Sequence, residues 1–176
     1  MKAFSKMFLI TALICLLAAC SSNPENAATS AQPVNKGEPA PAFDLVDLEG
    51  NPHELSQYAG KKVYVKFWAS WCSICLAGME ELNTLAGEDP DFEVLTIVSP
   101  SSNAEKDSAS FAKWFSGLDN ASNITVLLDE GGAVFDEYGV LAYPTSTYIG
   151  SDGVMVKSAP GHFSNDQIYE TFESIQ

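Results

Sequence analysis

A Cys-x-x-Cys pair, Cys72 and Cys75, stands between a strongly apolar run and a helical pattern, and it constrains this chain more than any other feature. The apolar run at 63–68 predicts a buried strand, and the first cysteine is then expected at the N-terminus of the following helix. A helix N-terminus carries partial positive charge and free N–H donors, which stabilise a thiolate. A thiolate attacks disulfides, and a second cysteine one turn later can displace it from a mixed disulfide, so the pair is predicted to be a two-electron redox switch.

A zinc site is the alternative interpretation of this pair. It needs two more ligands, and the chain has no second Cys-x-x-Cys pair. The two histidines, His53 and His162, are isolated in the sequence and are interpreted as ordinary surface or loop residues. A bridge between cysteines three positions apart also gains little from chain entropy, so the spacing favours chemistry over structural cross-linking. We therefore expect no metal and no other cofactor.

Residues 1–19 have the pattern of an export signal. Lys2 and Lys6 precede an apolar run at 7–19, which is too short to span a bilayer comfortably and ends in small residues. Export would bring the mature protein into an oxidising compartment, where disulfides form and persist.

The segment Leu-Ala-Ala-Cys at 17–20 resembles a bacterial lipobox. In that pattern the leader is cut before the cysteine, and the cysteine sulfur receives a diacylglyceryl group. Cys20 is then the lipidation site and the membrane anchor, and Cys15 leaves with the leader. The alternatives are an ordinary secretory leader and an N-terminal membrane helix in which Cys20 is unmodified.

The sequence predicts three regions: a signal peptide at 1–19, a lipid-anchored flexible linker at 20–38 and one folded domain at 39–176. The linker is rich in Asn, Ala, Ser, Pro and Glu and shows no apolar period, which is typical of a flexible tether. The remaining length suffices for one domain with a substantial core.

The charge of the chain excludes some partners. It contains 9 basic residues, all of them lysine, and 23 acidic residues. Without the leader, seven lysines face 23 acidic residues, which gives a net charge of −16. This balance argues against nucleic acid and against a basic patch that binds an anionic membrane. The lipid, rather than charge, is expected to hold the protein at the membrane.

Strand and helix patterns alternate along the predicted domain. Strand patterns lie at 42–48, 62–68, 92–99, 125–128, 145–149 and 154–157, and helix patterns at 73–86, 107–118, 133–138 and 164–175. The last two strand patterns flank Ser-Asp-Gly and predict a hairpin. Such alternation predicts an α/β domain with a central sheet covered by helices on both faces.

The order of these elements and the Trp-Cys-x-x-Cys motif at 71–75 resemble the thioredoxin fold. The segment Phe-Asp-Leu-Val-Asp-Leu-Glu-Gly at 43–50 is similar to the membrane-tethered branch of that family. The branch includes TlpA- and ResA-type proteins and the extracellular thioredoxin lipoproteins of Gram-positive bacteria. The resemblance covers roughly residues 39–176. It implies a mixed sheet with helices on both faces, an N-terminal hairpin extension and an inserted helix.

A second landmark, Tyr143-Pro144-Thr145, is similar to the cis-proline loop of this family. In the family this loop packs beside the cysteine pair and offers backbone groups to a bound substrate chain. The resemblance implies a cis bond before Pro144, with residues 140–143 and the segment around Gly161 flanking a substrate groove. The alternative is a trans proline that opens an edge strand.

By the same resemblance, Cys72 is the attacking thiol and Cys75 the resolving thiol, while Trp71 shields the site and shapes contact with partners. The alternative interpretation of Trp71 is a plain core aromatic residue. The cysteines, Trp71 and the loop at 143–145 make up the predicted redox and substrate-binding site.

The chain departs from the family pattern where the proton acceptor for the resolving thiol is expected. The family usually carries an acid or an asparagine six residues before the first cysteine, and this chain has Lys66. Three and five residues after the second cysteine the relatives often have glutamate and proline, and this chain has Gly78 and Glu80. Either Glu80 or Glu81 could supply the acid instead, and helix geometry points only one of them inward.

Lys66 lies within an apolar strand, where burial disfavours its charged form. One hypothesis is that it lies under the cysteine pair and favours the thiolate or shuttles the proton. The other is that its stem packs while its amine reaches water.

The direction of electron flow is left open by the sequence, because the residues between the cysteines, Ser73 and Ile74, include neither proline nor histidine. The tethered relatives mostly act as reductants that receive electrons from a CcdA- or DsbD-type membrane protein. Their clients include exported methionine sulfoxide reductases and apocytochromes. The resemblance therefore implies a reductase. An oxidase that installs disulfides in secreted proteins and a non-catalytic binding lipoprotein are the alternatives.

Overall fold

The computed structural model describes residues 34–176. Within these residues the strands are β1 (Glu38–Pro39), β2 (Asp44–Asp47), β3 (Pro52–Glu54), β4 (Lys62–Phe67), β5 (Phe92–Val98), β6 (Thr125–Leu128), β7 (Thr145–Ile149) and β8 (Val154–Pro160). The α-helices in the same part of the chain are α1 (Ser73–Ala77), α2 (Met79–Gly87), α3 (Ser108–Phe115), α4 (Ala133–Glu137) and α5 (Asn165–Glu173). The predicted leader, Cys15, Cys20 and most of the predicted linker lie outside the described residues.

The strands form one mixed sheet in the order β1-β8-β7-β4-β5-β6-β2-β3. Strands β4, β5 and β6 are parallel, and β7 and β8 continue the sheet as an antiparallel hairpin next to β4. Strands β2 and β3 form a second antiparallel hairpin at the opposite edge. This arrangement confirms the predicted mixed sheet with an N-terminal hairpin extension, and α3, between β5 and β6, is the inserted helix.

Strand β4 is buried on both faces and separates two apolar cores. Its side chains alternate between them, as the two-residue period of a strand requires. Tyr64 lies in the core that also contains the two cysteines and the buried side chains of α2, α3 and α5. Val65 and Phe67 lie in the other core with the side chains of α4. Helices therefore cover both faces, as predicted.

The helix predicted at 73–86 is wrong in one respect, because it is two helices. Helix α1 ends at Ala77, and α2 begins at Met79. Gly78, between them, has φ −94° and ψ 10° and serves as the C-cap of α1 and the N-cap of α2. Glycine lowers helix propensity, and its missing side chain permits a close neighbour at this position.

The first described residues are fixed to the end of the sheet where β7 turns into β8. The backbone N–H groups of Val34 and Asn35 each donate to Asp152 Oδ2 at 2.8 Å. The Asn35 side chain exchanges two 3.0 Å hydrogen bonds with the backbone of Gln176. Hydrogen-bonded structure thus begins within the stretch that the sequence assigns to the linker.

Lys66, in the middle of β4, is only 3% exposed. The alternation along β4 places it on the same face as Tyr64 and Trp68, which is the face that carries the cysteines. Loss of hydration on burial lowers the pKa of Lys66 to about 8, and the negative charge of Glu81 opposes that shift. The strand therefore buries a cation whose charge is weakly compensated.

This burial predicts that Lys66→Met stabilises the folded state at neutral pH. A lysine whose pKa falls on folding opposes folding while both states are protonated, here by about 3 kcal/mol. The penalty is fully present below about pH 8 and disappears as the pH rises toward about 10.5. Denaturant unfolding at pH values below and above this window measures the difference.

The exposed residue Lys113 provides the matched control, since Lys113→Met removes the same charge without changing a buried group. The interpretation fails if Lys66→Met leaves the unfolding midpoint of the oxidised protein unchanged at neutral pH, or if its effect is the same on both sides of the window.

Candidate redox site

The two cysteines lie where the buried strand β4 gives way to α1. They form a disulfide, with their Cα atoms 5.2 Å apart. Cys72 is the N-cap residue of α1, and its Sγ accepts a hydrogen bond from the backbone N–H of Cys75 at 3.3 Å. A backbone N–H group at a helix start is a suitable hydrogen-bond donor to a thiolate sulfur.

The two sulfur-bearing residues differ in access. Cys72 is 6% exposed and Cys75 is 1% exposed. Large exposed apolar side chains flank the pair: Trp71 is 50% exposed and Ile74 57% exposed. Both cysteines are thus buried, and Cys72 lies nearer to the surface and to the exposed apolar side chains than Cys75 does.

The loop before β7 contains a cis peptide bond between Tyr143 and Pro144, which confirms the sequence prediction. The Pro144 carbonyl accepts a 2.7 Å hydrogen bond from the N–H of Gly161, just after β8. Thr145, the first residue of β7, donates its hydroxyl to the carbonyl of Ala142 at 2.8 Å. These bonds fix the loop and join it to the segment that begins at Gly161.

Trp71 joins this loop to the cysteine motif. Its ring packs edge-on against Tyr143, with the ring centroids 5.4 Å apart. Tyr143 also packs on Phe135 of α4, and its hydroxyl accepts a 3.0 Å hydrogen bond from the side chain of Asn103. Trp71 is half exposed, so it belongs to the surface of the site and is not a plain core aromatic residue.

A buried carboxylate that sequence reasoning missed supports the turn before Cys72. Glu105 lies in the loop after β5 and accepts hydrogen bonds from the backbone N–H of Ser70 and, at 2.6 Å, from its hydroxyl. It also accepts the backbone N–H of Lys106 at 2.7 Å. The Lys106 amine donates to the Ser70 hydroxyl at 2.5 Å and lies 5.0 Å from the centroid of the Trp114 ring. The pairing spans 35 residues, so no local pattern reveals it.

The structure distinguishes the two glutamates of α2. Glu80 is exposed, and Glu81 is partly buried. Glu81 accepts the backbone N–H of Asn165 at 3.0 Å and lies 3.0 Å from Nε2 of His162. Its charge also acts on the pKa of Lys66. Glu81, rather than Glu80, is therefore the carboxylate near the reactive face.

His162 lies against the helix break. A Cβ atom placed on Gly78 would lie 2.6 Å from Cε1 and 2.7 Å from Nδ1 of this imidazole. His162 is an exposed residue of the loop after β8, and its ring also lies close to Gly78. The available signal was Gly78 itself, since a glycine inside a helical pattern indicates a close neighbour.

The structure also bears on metal and membrane contacts. Within residues 34–176, no group of three or more His, Cys, Asp or Glu side chains is arranged to hold a metal ion. In the same part of the chain, no helix combines the length and apolar character needed to cross a bilayer.

The sequence and the fold are similar to those of known redox proteins. The family model Redoxin matches residues 35–172. The thiol-disulfide oxidoreductase ResA of Geobacillus thermodenitrificans is 31% identical over 182 aligned positions, which cover 100% of this chain and 99% of ResA. A Haemophilus influenzae protein of uncharacterized function is 52% identical over 125 residues, covering 70% of this chain and 80% of that protein.

Among solved structures, the exposed lipoprotein thioredoxin Etrx1 of Streptococcus pneumoniae matches with a TM-score of 0.73 and 43% identity. The match covers 77% of this chain and 100% of Etrx1. These matches agree with the structure, which has a disulfide at the start of α1 and a cis-proline loop. The chain belongs to the Redoxin family and is a thioredoxin-like thiol-disulfide oxidoreductase of the TlpA/ResA type.

Proposed function

We propose that this oxidoreductase is a lipid-anchored, extracytoplasmic reductase that passes electrons from a membrane thiol transporter to disulfides or related oxidised groups of exported proteins. Cys72 attacks and Cys75 resolves. The assignment of roles rests on the asymmetry of the pair. The Cys72 sulfur accepts a hydrogen bond from the backbone N–H of Cys75, and Cys72 is the more exposed of the two residues.

The surface around Cys72 supports protein clients. Trp71 packs on Tyr143 of the cis-proline loop, and Leu141, two residues earlier, is exposed. Pro144 and Thr145 lie where an extended client segment could pair with loop backbone. An apolar rim with backbone hydrogen-bonding groups suits an extended polypeptide better than a small thiol.

Similarity to known proteins supports the proposed lipid-anchored, extracytoplasmic location. Etrx1 is described as an exposed lipoprotein, and the lipobox at Cys20 agrees with lipid attachment of this chain. The tethered branch of the family implies a CcdA- or DsbD-type membrane donor and, as the leading client, an exported methionine sulfoxide reductase. An oxidase would use the same two sulfurs in the opposite direction, so the reduction potential separates the two functions.

The assignment of roles predicts that Cys75→Ser accumulates mixed disulfides with client proteins, because the resolving attack is lost. Cys72→Ser should trap none and should also lose reduction of insulin. Non-reducing gels and mass spectrometry of the trapped species provide the measurement. Insulin reduction that persists in Cys72→Ser would contradict the assignment.

Equilibration with glutathione should give a potential on the reducing side of the glutathione couple, and a strongly oxidising value would support the oxidase.

Lys66 is proposed to favour the Cys72 thiolate, since it lies on the cysteine-bearing face of β4. Lys66→Met should therefore raise the pH at which the reduced Cys72 thiol ionises and slow its alkylation below that pH. Alkylation rates measured against pH test this, with Lys113→Met as the control. An unchanged titration together with an unchanged exchange rate would remove Lys66 from the mechanism.

A further inference from the structure

The resolving step needs a proton acceptor that the family pattern does not supply in this chain. In that step the buried Cys75 thiol must lose its proton while its sulfur attacks Cys72. The position three residues after Cys75 is Gly78, and the position six residues before Cys72 is Lys66. Neither residue offers a carboxylate, yet Cys75 is 1% exposed and bulk water reaches it poorly.

The imidazole of His162 occupies the space that a side chain at position 78 would fill. Residues 75 and 78 are one helical turn apart and lie on the same helix face. Nδ1 and Cε1 approach the Cβ position of Gly78 to 2.7 and 2.6 Å, and Nε2 is farther away at 3.6 Å. A side chain at this position would require the ring to move. The glycine therefore makes room for a histidine supplied by another part of the chain.

Glu81 lies beside one nitrogen of the ring. Nε2 is 3.0 Å from Glu81 Oε2, close enough for an ion pair once the ring is protonated. Nδ1 faces the helix break at Gly78, three residues after Cys75 in the sequence. A carboxylate in this position also stabilises the imidazolium that forms when Nδ1 accepts a proton.

Two further contacts hold the dyad in place. Glu81 accepts the N–H of Asn165, and its backbone carbonyl accepts the Asn165 side chain at 2.9 Å, so α2 is joined to the start of α5. His162 directly follows Gly161, whose N–H donates to Pro144. The ring is thus anchored to the loop that is proposed to receive the client.

We propose that His162, positioned by Glu81, accepts the proton of the Cys75 thiol during resolution of the mixed disulfide; this inference rests on the proposed roles of the two cysteines. The Cys75 sulfur forms a bond to Cys72 Sγ as the bond from Cys72 to the client sulfur breaks. The client sulfur leaves with the electron pair as a thiolate. The Cys75 proton goes to Nδ1 and is later released to the client thiolate or to water.

Other charged and polar groups lie on the elements around His162 and Glu81. Glu81 on α2 contacts the ring directly, and Lys66 on β4 interacts with the Glu81 charge. The buried hydroxyl of Tyr64 also experiences that charge, and burial raises its pKa above the ordinary range. Lys157 on β8 lies 5.1 Å from the ring centroid of Phe163, the residue after His162. The experiment must therefore separate His162 from Lys66.

The test uses the reduced protein and the aromatic disulfide dithiobis(nitrobenzoate), whose released thiolate is coloured. The first phase of colour reports attack by Cys72, and the second reports displacement by Cys75. In His162→Asn the second phase should slow by at least about tenfold at neutral pH, and its pH dependence should move to higher pH. The first phase should keep its rate. Glu81→Gln should slow the second phase in the same direction.

Matched variants serve as controls. His53→Asn changes the other histidine, and Glu170→Gln removes an exposed carboxylate on α5; both should leave the second phase unchanged. In the double variant Gly78→Glu/His162→Ala, a carboxylate occupies the space left by the ring and should restore much of the second phase. A purely structural role for His162 would not predict that rescue.

An unchanged second phase in His162→Asn would overturn the proposal. It would also fall if Lys66→Met slowed that phase while His162→Asn did not, because the lysine would then be the acceptor. Loss of the first phase in the wild-type protein would refute the roles of the cysteines, so that failure is distinguishable from failure of the proton acceptor alone.

Discussion

Burial of β4 on both faces is the constraint on which the rest of the structure depends. Its side chains fill two cores at once, so the strand cannot shift by one residue without moving every apolar side chain to the wrong face. Trp68, directly after the strand, is 1% exposed, which fixes the point where the chain leaves the sheet. The turn that follows is held by hydrogen bonds to Glu105 and places Cys72 at the start of α1.

The same burial explains the unusual chemistry of the site. The buried strand position six residues before Cys72 carries a lysine, and loss of hydration lowers the pKa of this Lys66 side chain. The acid–base groups instead lie at the helix break, where solvent and protein meet and an imidazole can exchange protons with water. The acid–base groups proposed for the cysteines, Glu81 and His162, therefore come from α2 and from the segment after β8, which are distant from each other in sequence.

Much of this could be predicted from the sequence, because local patterns encode it. The apolar run of β4, the spacing of Cys72 and Cys75 and the proline before β7 each carry a signal within a few residues. The missed features are contacts between distant segments. His162 meets Gly78 across 84 positions, and Glu105 meets Ser70 across 35. Propensity and periodicity describe single segments, so they indicate that a glycine has a neighbour without identifying it.

The register of the sheet gives the domain two distinct poles. Phe67, at the cysteine end of β4, aligns through Thr145 of β7 with Pro160 of β8. Strand β1 pairs instead with Val154 and Met155 at the other end of β8. The described chain therefore begins at the pole remote from the sulfurs. A partner can therefore contact the sulfurs at one pole of the domain while the first described residues, Val34 and Asn35, stay bonded to Asp152 at the other.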